Sequence, residues 1–467
     1  MATLTFHGAA EEVTGSCHLL ESAATGRVLL DCGMHQGGDA VERLKDEHFG
    51  FDPGSIDAVV LSHAHLDHSG LLPRLVHEGF KGAILCTSAT AELLEVMLKD
   101  SVGLYLRDLE RSNVRRARRG GEPEDPVYTE ADVEEVLRRC QGQAYGKPVA
   151  LGPSGAVCFH DAGHILGSAI VEIQIQEQGC DKVLVFSGDL GKQDSALMNP
   201  PAQLTAADVV LLESTYGDRE HRGEQDSLAQ LQEILADTWK QGGSVMIPSF
   251  AVGRTQDILF HLGCLHHAGE LDNWEVFLDS PMAIAVTRVY DHWLKLLDDD
   301  GVKELDEAHK SSLETFLPTL NLAIHTEESM AINRIKGGAL IIAGSGMCTG
   351  GRIRHHFKQR IWDDRNTIIF TGFQARGTLG RVIVDGARNI KMFGDDYIVK
   401  ARVETLGGLS AHAGQSELVA WLEGFQPTPR TLLVHGEPRA QDALRQRLYT
   451  DLGLQAEIPH LGQSVSL

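Results

Sequence analysis

Short apolar runs recur along this chain, some alternating with polar residues and some unbroken, and glycine-rich connections separate them. Near the start, TLTFHG, RVLLDCG, AVVLSH and AILCTS predict four strands. SATAELLEVMLKDSVGLYLRDLERS (88–112) then carries its apolar residues at helical spacing, and TEADVEEVLRRCQ (129–141) opens on a capping threonine. The stretch 117–128 between them holds glycine, proline and charge, and predicts a loop. AVCFHDAGH, AIVEIQI and KVLVFSGD predict three more strands. After DVVLLESTYGD the order changes. SVMIPSF, WEVFLDS and GALIIAGSGM each predict a strand that feeds a helix through a Gly- or Pro-marked turn, the sign of a parallel sheet carrying helices. The last part, DDYIVKARVETLGGLSAHAG and PRTLLVHGEP, returns to short strands ending in histidines. A histidine-rich beginning, a parallel α/β middle and a histidine-rich end predict one domain inserted within another.

Composition narrows the class. A chain of 467 residues is long for one core and predicts two or three domains. With 42% hydrophobic and 23% charged residues it has the balance of a globular protein. No apolar run is long enough to span a bilayer, and MATLTFHGAAEEV lacks the pattern of a signal peptide, so no membrane role is expected. Cysteines at 17, 32, 86, 140, 158, 180, 264 and 348 form no CxxC pair, which argues against a zinc ribbon or disulfide scaffold and for a reducing, cytoplasmic location. The net charge of −23 would repel a polyanion at long range. RDLERSNVRRARRG (107–120) is a local exception, although alone it reads as a solvated helix end.

The chemistry concentrates in LSHAHLDHSG (61–70), where His63, His65, Asp67 and His68 crowd into one turn after a predicted strand. Buried without partners, each such group would cost roughly 1–3 kcal/mol, and a shared cation is the simplest compensation. Other polar groups stand at strand ends: Asp31, His164, Asp189, Glu213, His412 and His435. Side chains at one edge of a sheet converge, and together these supply two ligand sets joined by one carboxylate.

HAHLDH resembles the signature of the metallo-β-lactamase superfamily, and DCG, GHILGS and SGD match its other metal motifs in order. The inserted region, with ESTYG, SAHA and VHGE, resembles the β-CASP branch, and within it the RNA-processing nucleases. The resemblance spans essentially the whole chain. It implies an α/β fold, a metallo-β-lactamase αββα sandwich (residues 1–215 and 389–467) carrying an inserted α/β β-CASP domain (216–388) with a mainly parallel sheet.

On this resemblance, His63, His65 and His164 hold one Zn²⁺, Asp67, His68 and His435 hold a second, and Asp189 bridges them. The donor types also admit Mn²⁺. Asp31 orients ligands rather than binding metal, and Glu213 holds His412 protonated so that it can give a proton to the leaving 3′ oxygen. Two divalent ions acidify a water, aim it at phosphorus and dominate the local field despite the net charge. Substrate contacts are expected at Ser249, Arg254, Ser345, Arg352, Arg376 and Ser410, all where a strand meets a helix. The implied activity is hydrolysis of single-stranded RNA to 3′-hydroxyl and 5′-phosphate ends, with endo- and 5′-exonucleolytic modes both open.

The ligands alone are equally compatible with hydrolysis of small esters, thioesters or lactams. The inserted domain and the Glu213–His412 pair weigh against that reading, and His435 weighs against a DNA-directed nuclease of the same branch. A silent RNA-binding scaffold is disfavoured by the complete ligand set. Oligomeric state is not legible, and a homodimer is compatible. No KH-type region precedes the catalytic part and little chain follows VHGE, which lowers the expectation of a dimeric 5′-end-degrading enzyme.

Overall fold

The unbroken apolar run VVLLE forms the strand Val209–Glu213, in which every side chain is buried because both faces of its sheet are covered. The computed structural model describes residues 2–35, 40–177, 179–220, 223–297, 303, 305, 310–372, 374–375 and 377–467. The chain divides into two compact units, one built from 1–193, 199–220 and 412–467, the other from 194–198 and 221–411.

Among the described residues, the first unit pairs a seven-stranded with a six-stranded sheet. The seven-stranded sheet runs in the order Ser464–Ser466, Thr3–Phe6, His18–Ser22, Gly26–Leu30, Ala58–Val60, Ala83–Thr87 and Cys140–Gln143. The six-stranded one runs Arg430–Val434, Val209–Glu213, Cys180–Phe186, Ala169–Glu177, Gly155–Asp161 and Val149–Leu151. Leu4, Phe6, Leu20, Leu30 and Val60 from one sheet meet Phe159, Val171, Phe186, Leu211 and Val434 from the other. Each such side chain contributes about 1.5–3 kcal/mol of burial. Outside the six-stranded sheet, Val210, Leu212 and Leu433 pack under Leu418 and Trp421 of the helix Gln415–Glu423 and Leu444 and Leu448 of Pro438–Leu452. The helices Ser88–Ala117 and Glu130–Arg139 cover the other sheet, and Thr87 caps the first by accepting from the Thr90 amide. The layers are thus helix, sheet, sheet and helix.

Parallel register brings the polar strand ends to shared edges. Gly26–Leu30 runs parallel to Ala58–Val60 with Leu30 opposite Val60, so Asp31 and the 61–68 segment leave their strands side by side. Val209–Glu213 runs parallel to both Cys180–Phe186 and Arg430–Val434, with Glu213 opposite Val434, so Asp189, Glu213 and His435 emerge together.

In the second unit the main sheet is parallel throughout, in the order Leu320–Leu322, Glu275–Leu278, Ala339–Ala343, Val245–Pro248, Thr367–Phe370 and Arg402–Thr405. Apolar clusters cover both of its faces. This unit keeps the chain through Ala411, beyond the boundary of 388 read from the sequence. The reason is that Arg402–Thr405, read as a short strand of the returning domain, instead pairs with Thr367–Phe370. A polar knot ties the unit's interior. Asp279, fully buried, accepts from Arg352 Nη1 at 2.7 Å, His356 Nε2 at 2.7 Å and Ser329 Oγ at 2.6 Å. Burial alone would raise the Asp279 pKa, but these donors hold it below the ordinary carboxylate value.

Removing Asp279 would leave the buried His356 without its carboxylate and Arg352, a quarter exposed, with two carbonyls alone. Asp279→Ala is expected to cost about 1–3 kcal/mol, read as a lowered urea midpoint. An unchanged midpoint would mean that the knot does not stabilise the unit.

Candidate metal centre

Three groups of ligating atoms gather in the first unit. One atom each from His63, His65, His164 and Asp189 all lie within 4.8 Å of one another, and so do atoms from Asp67, His68 and His435. Asp189, Glu213 and His435 form a further such group. In the first set, His65 Nδ1 is 3.1 Å from His63 Nε2 and 3.3 Å from His164 Nε2, and Asp189 Oδ2 is 3.5 Å and 3.6 Å from the latter two atoms. In the second, His68 Nε2 and His435 Nε2 are 3.1 Å apart, and Asp67 Oδ2 is 3.8 Å from His435 Nε2. Asp189 Oδ1 faces this second set, 3.4 Å from His68 Nε2 and 3.3 Å from His435 Nδ1.

This arrangement fits divalent cations. A neutral imidazole has one N–H, so ring nitrogens converging this closely direct lone pairs at a common point. Asp189 Oδ1 is buried with no hydrogen-bond partner among the described residues. A buried, unmatched carboxylate oxygen among converging nitrogens is what a bridging ligand requires. The donors are nitrogen and oxygen, and none of the groups includes a thiolate.

The electrostatics separate the ligands. Burial, reinforced by His68, pushes His63 well below its ordinary pKa, and burial lowers His65, which favours the neutral ligating form. Burial also works against charge on His68, yet Asp189 and Asp31 outweigh it and raise His68 well above the ordinary value. Burial would raise both carboxylates. The nearby His435 and His68 rings instead hold Asp67 down to about 2, and His435, His68 and His63 hold Asp189 well below its ordinary value.

Asp31 does not join a ligand group. Its Oδ2 lies 2.6 Å from His68 Nδ1 and accepts from Ser62 Oγ at 3.0 Å and Ser16 Oγ at 3.1 Å, while Oδ1 accepts from the Ser62 amide at 2.8 Å. Holding Nδ1 leaves Nε2 aimed at the cluster. Asp31 does this at φ +61°, a conformation non-glycine residues adopt reluctantly and keep where the surroundings enforce it. Close beside it, Gly33 admits no side chain, because a Cβ there would come 1.7 Å from the Asp67 carbonyl oxygen.

Glu213 and His412 stand next to the ligands. Glu213 Oε1 accepts from the Leu190 amide at 2.8 Å and faces His412 Nδ1 at 3.2 Å, while Oε2 accepts from the Thr215 amide at 3.2 Å. The His412 ring lies 4.5 Å from that of His164. Burial lowers the basicity of His412, but Glu213, Asp189 and Asp67 together raise its pKa above the ordinary value.

Two supporting residues were not singled out in the sequence. Ser62 Oγ, besides bonding Asp31, lies 3.0 Å from His63 Nδ1, and Thr215 Oγ1 lies 3.1 Å from His435 Nδ1. Their signal was faint: a hydroxyl residue directly before HAHLDH, and another two positions after Glu213.

The expected substrate contacts Ser249, Arg254, Ser345, Arg352 and Ser410 all lie in the second unit, and Arg376 falls outside the described residues. Ser249 Oγ accepts from Thr255 Oγ1 at 2.9 Å, Arg254 Nη1 reaches Asp257 at 3.5 Å, and Ser345 Oγ accepts from the Gly350 amide at 3.2 Å. Ser410 is buried. Arg352, expected at a phosphate, is instead tied inward: Nη1 bonds Asp279 and the Ala323 carbonyl, and Nη2 bonds the Ile324 carbonyl.

Similarity to known proteins fixes the family. Residues 10–166 match the metallo-beta-lactamase superfamily, 255–383 the Beta-Casp domain and 396–459 the Zn-dependent metallo-hydrolase RNA specificity domain. The chain therefore belongs to the β-CASP family of the metallo-β-lactamase superfamily. It is 40% identical to Ribonuclease TTHA0252 of Thermus thermophilus over 98% of both chains. It is 33% identical to Transcription termination factor FttA of Pyrococcus abyssi over 87% of this chain and 61% of that one. A crystal structure of a protein of unknown function from Enterococcus faecalis V583 aligns over 100% of both chains with a TM-score of 0.54 at 14% identity, a likeness of fold alone. Among the described residues, no helix is long and apolar enough to cross a membrane.

Asp31→Asn keeps the shape of the side chain but removes the charge facing His68. It is expected to weaken metal affinity about 10–100-fold while the melting temperature of the metal-free protein stays close to wild type. Competition with a zinc chelator measures the first, and unchanged affinity would show that His68 needs no orienting carboxylate.

Proposed function

We propose that this chain is a ribonuclease that hydrolyses phosphodiester bonds of single-stranded RNA and leaves 3′-hydroxyl and 5′-phosphate ends. The reading is carried by the Glu213–His412 pair beside a full ligand cluster, in a chain 40% identical to a ribonuclease over 98% of both. His63, His65, His164 and Asp189 would hold one Zn²⁺, and Asp67, His68, His435 and Asp189 a second. When bound, the two ions would supply Lewis acidity and a water acidic enough to attack phosphorus near neutral pH.

The chain's own groups supply the rest. Two backbone amides fix Glu213 in its buried place, so its charge is directed at His412 Nδ1. Glu213 holds the Nδ1 proton and keeps the imidazole protonated, so the proton on Nε2 is given to the departing 3′ oxygen, which would otherwise leave as a poorly stabilised alkoxide, and His412 is left neutral. Asp31, Ser62 and Thr215 hold the ring orientations of His68, His63 and His435. The described cysteines are free, which supports a reducing compartment and a cytoplasmic place of action.

Metal analysis of zinc-loaded protein should return two ions per chain, and at most one would remove the two-zinc reading. Chelation and His65→Ala should each abolish cleavage of end-labelled single-stranded RNA, while duplex RNA, a thioester and a lactam should be poor substrates. Comparable turnover of RNA and a small ester would favour a general esterase instead.

His412→Ala should retain its metal and lose roughly 10²–10⁴-fold in cleavage rate, whereas His435→Ala should lose metal from the second position. A 3′-phosphorothiolate linkage departs as a thiolate and needs little protonation. It should rescue His412→Ala strongly and His435→Ala hardly at all, and equal rescue of both would contradict the role given to His412.

A further inference from the structure

The helix Ser88–Ala117 is 30 residues long and changes character along its length. Ala89, Leu93, Leu94, Met97, Leu98, Val102, Tyr105 and Leu109 are buried, and no later residue of the helix is. Its last turns carry the arginine run that reads, from sequence alone, as a solvated helix end. The structure gives that run a face. At about 100° per residue, Arg107, Arg111, Arg115 and the C-cap Arg118 fall within an arc of roughly 100°, together with Leu104 and Val114. All four arginines are exposed, and Leu104 and Val114 are 50% and 48% exposed. From Arg107 to Arg118 the stripe runs about 16 Å along the axis.

Two observations set this face apart from ordinary surface. The first is pairing. Arg138, Arg139, Arg365, Arg381, Arg430 and Arg447 each reach a carboxylate within 2.9 Å. On the stripe Arg111 has Asp108 at 3.2 Å and Arg107 interacts at longer range with Asp100, whereas among the described residues Arg115, Arg118 and the neighbouring Arg119 have no carboxylate within ion-pair distance. Arg116 reaches Glu124 at 3.1 Å. The second is spacing. Arg107, Arg111 and Arg115 stand four residues apart, a like-charge arrangement that weakens a helix unless an anion answers it. Asp100 acts on Arg107 and the exposed Asp108 and Glu110 flank Arg111, but among the described residues no carboxylate comes within ion-pair distance of Arg115, Arg118 or Arg119, where the positive charge is densest.

We propose that this face docks the phosphate backbone of single-stranded RNA, a reading that rests on the ribonuclease assignment above. A chain of net charge −23 must receive its polyanion through a local positive field. Screening over about 8 Å at physiological salt lets the run act independently of the acids elsewhere on the chain, and six arginines against Asp108 and Glu110 leave 107–119 net positive. Guanidinium groups suit the task because their forked donors match phosphate oxygens in pairs. The arginines reach phosphate rather than base edges, so the surface adds affinity without choosing a sequence.

The test replaces all four arginines by glutamine (R107Q, R111Q, R115Q and R118Q together), which keeps helix propensity and touches no residue of the metal centre. Binding of a 30-nucleotide single-stranded RNA to chelator-treated protein is measured across salt concentrations. The variant should bind roughly 10²-fold more weakly at 0.1 M salt, and its log–log salt slope should be shallower by about 0.7 for each phosphate that is no longer neutralised. Metal content and turnover of a short oligonucleotide at saturation should match wild type. If wild type binds and cleaves RNA but the variant shows the same affinity and slope, the docking face is wrong while the ribonuclease assignment stands. If zinc-loaded wild type neither binds nor cleaves RNA, the assignment fails and this proposal with it. If light scattering shows a dimer that the substitutions dissociate, with RNA binding untouched, the occupant is a second copy and the proposal is overturned.

Discussion

A charged carboxylate buried among histidines is the constraint on which the first unit depends. Asp189 is 2% exposed and lies within 3.6 Å of ring nitrogens from His63, His68, His164 and His435. An ionised group in such a place is tolerable only if cations surround it. Divalent ions would satisfy both it and the converging lone pairs. The rest of the unit exists to bring these groups to one point and keep them there.

The sheets do the bringing. Parallel neighbours end at the same edge, so residues far apart in sequence become adjacent without any local signal. The groups behind the ligands do the keeping. Asp31 fixes His68 from one side while the main chain closes in from the other, where the Cys32 amide bonds the His68 carbonyl and Gly33 leaves room for the Asp67 carbonyl. A ligand held this way loses little freedom on binding metal, which is why residues that never touch the ion matter to its affinity.

The same division of labour separates Glu213 from the ligands. It lies close enough to Asp189 and His435 to count with them as a metal-holding group. Yet both of its oxygens already accept backbone amides, and one also faces His412. Its free capacity therefore faces the His412 ring at 3.2 Å. The second unit has an analogous case: Arg352 has the residue type of a phosphate binder, but Asp279 and two carbonyls occupy its terminal nitrogens.

Much of this was legible in the residues themselves, because it is local. Chain connectivity alone holds His63, His65, Asp67 and His68 within six positions, and the apolar run IDAVVL before them reads as a buried strand. The repeated strand–turn–helix pattern likewise predicted the parallel sheet of the second unit. Partners chosen across long stretches of chain were not legible. Asp31 meets His68 across 37 residues, Thr215 meets His435 across 220, and Arg352 meets Asp279 across 73. The strand Arg402–Thr405 belongs to the second unit only because Thr367–Phe370 offers it an edge. Side-chain type states what a group can bond. Strand order and packing decide which of several eligible partners it meets, and that information resides in no short segment of the chain.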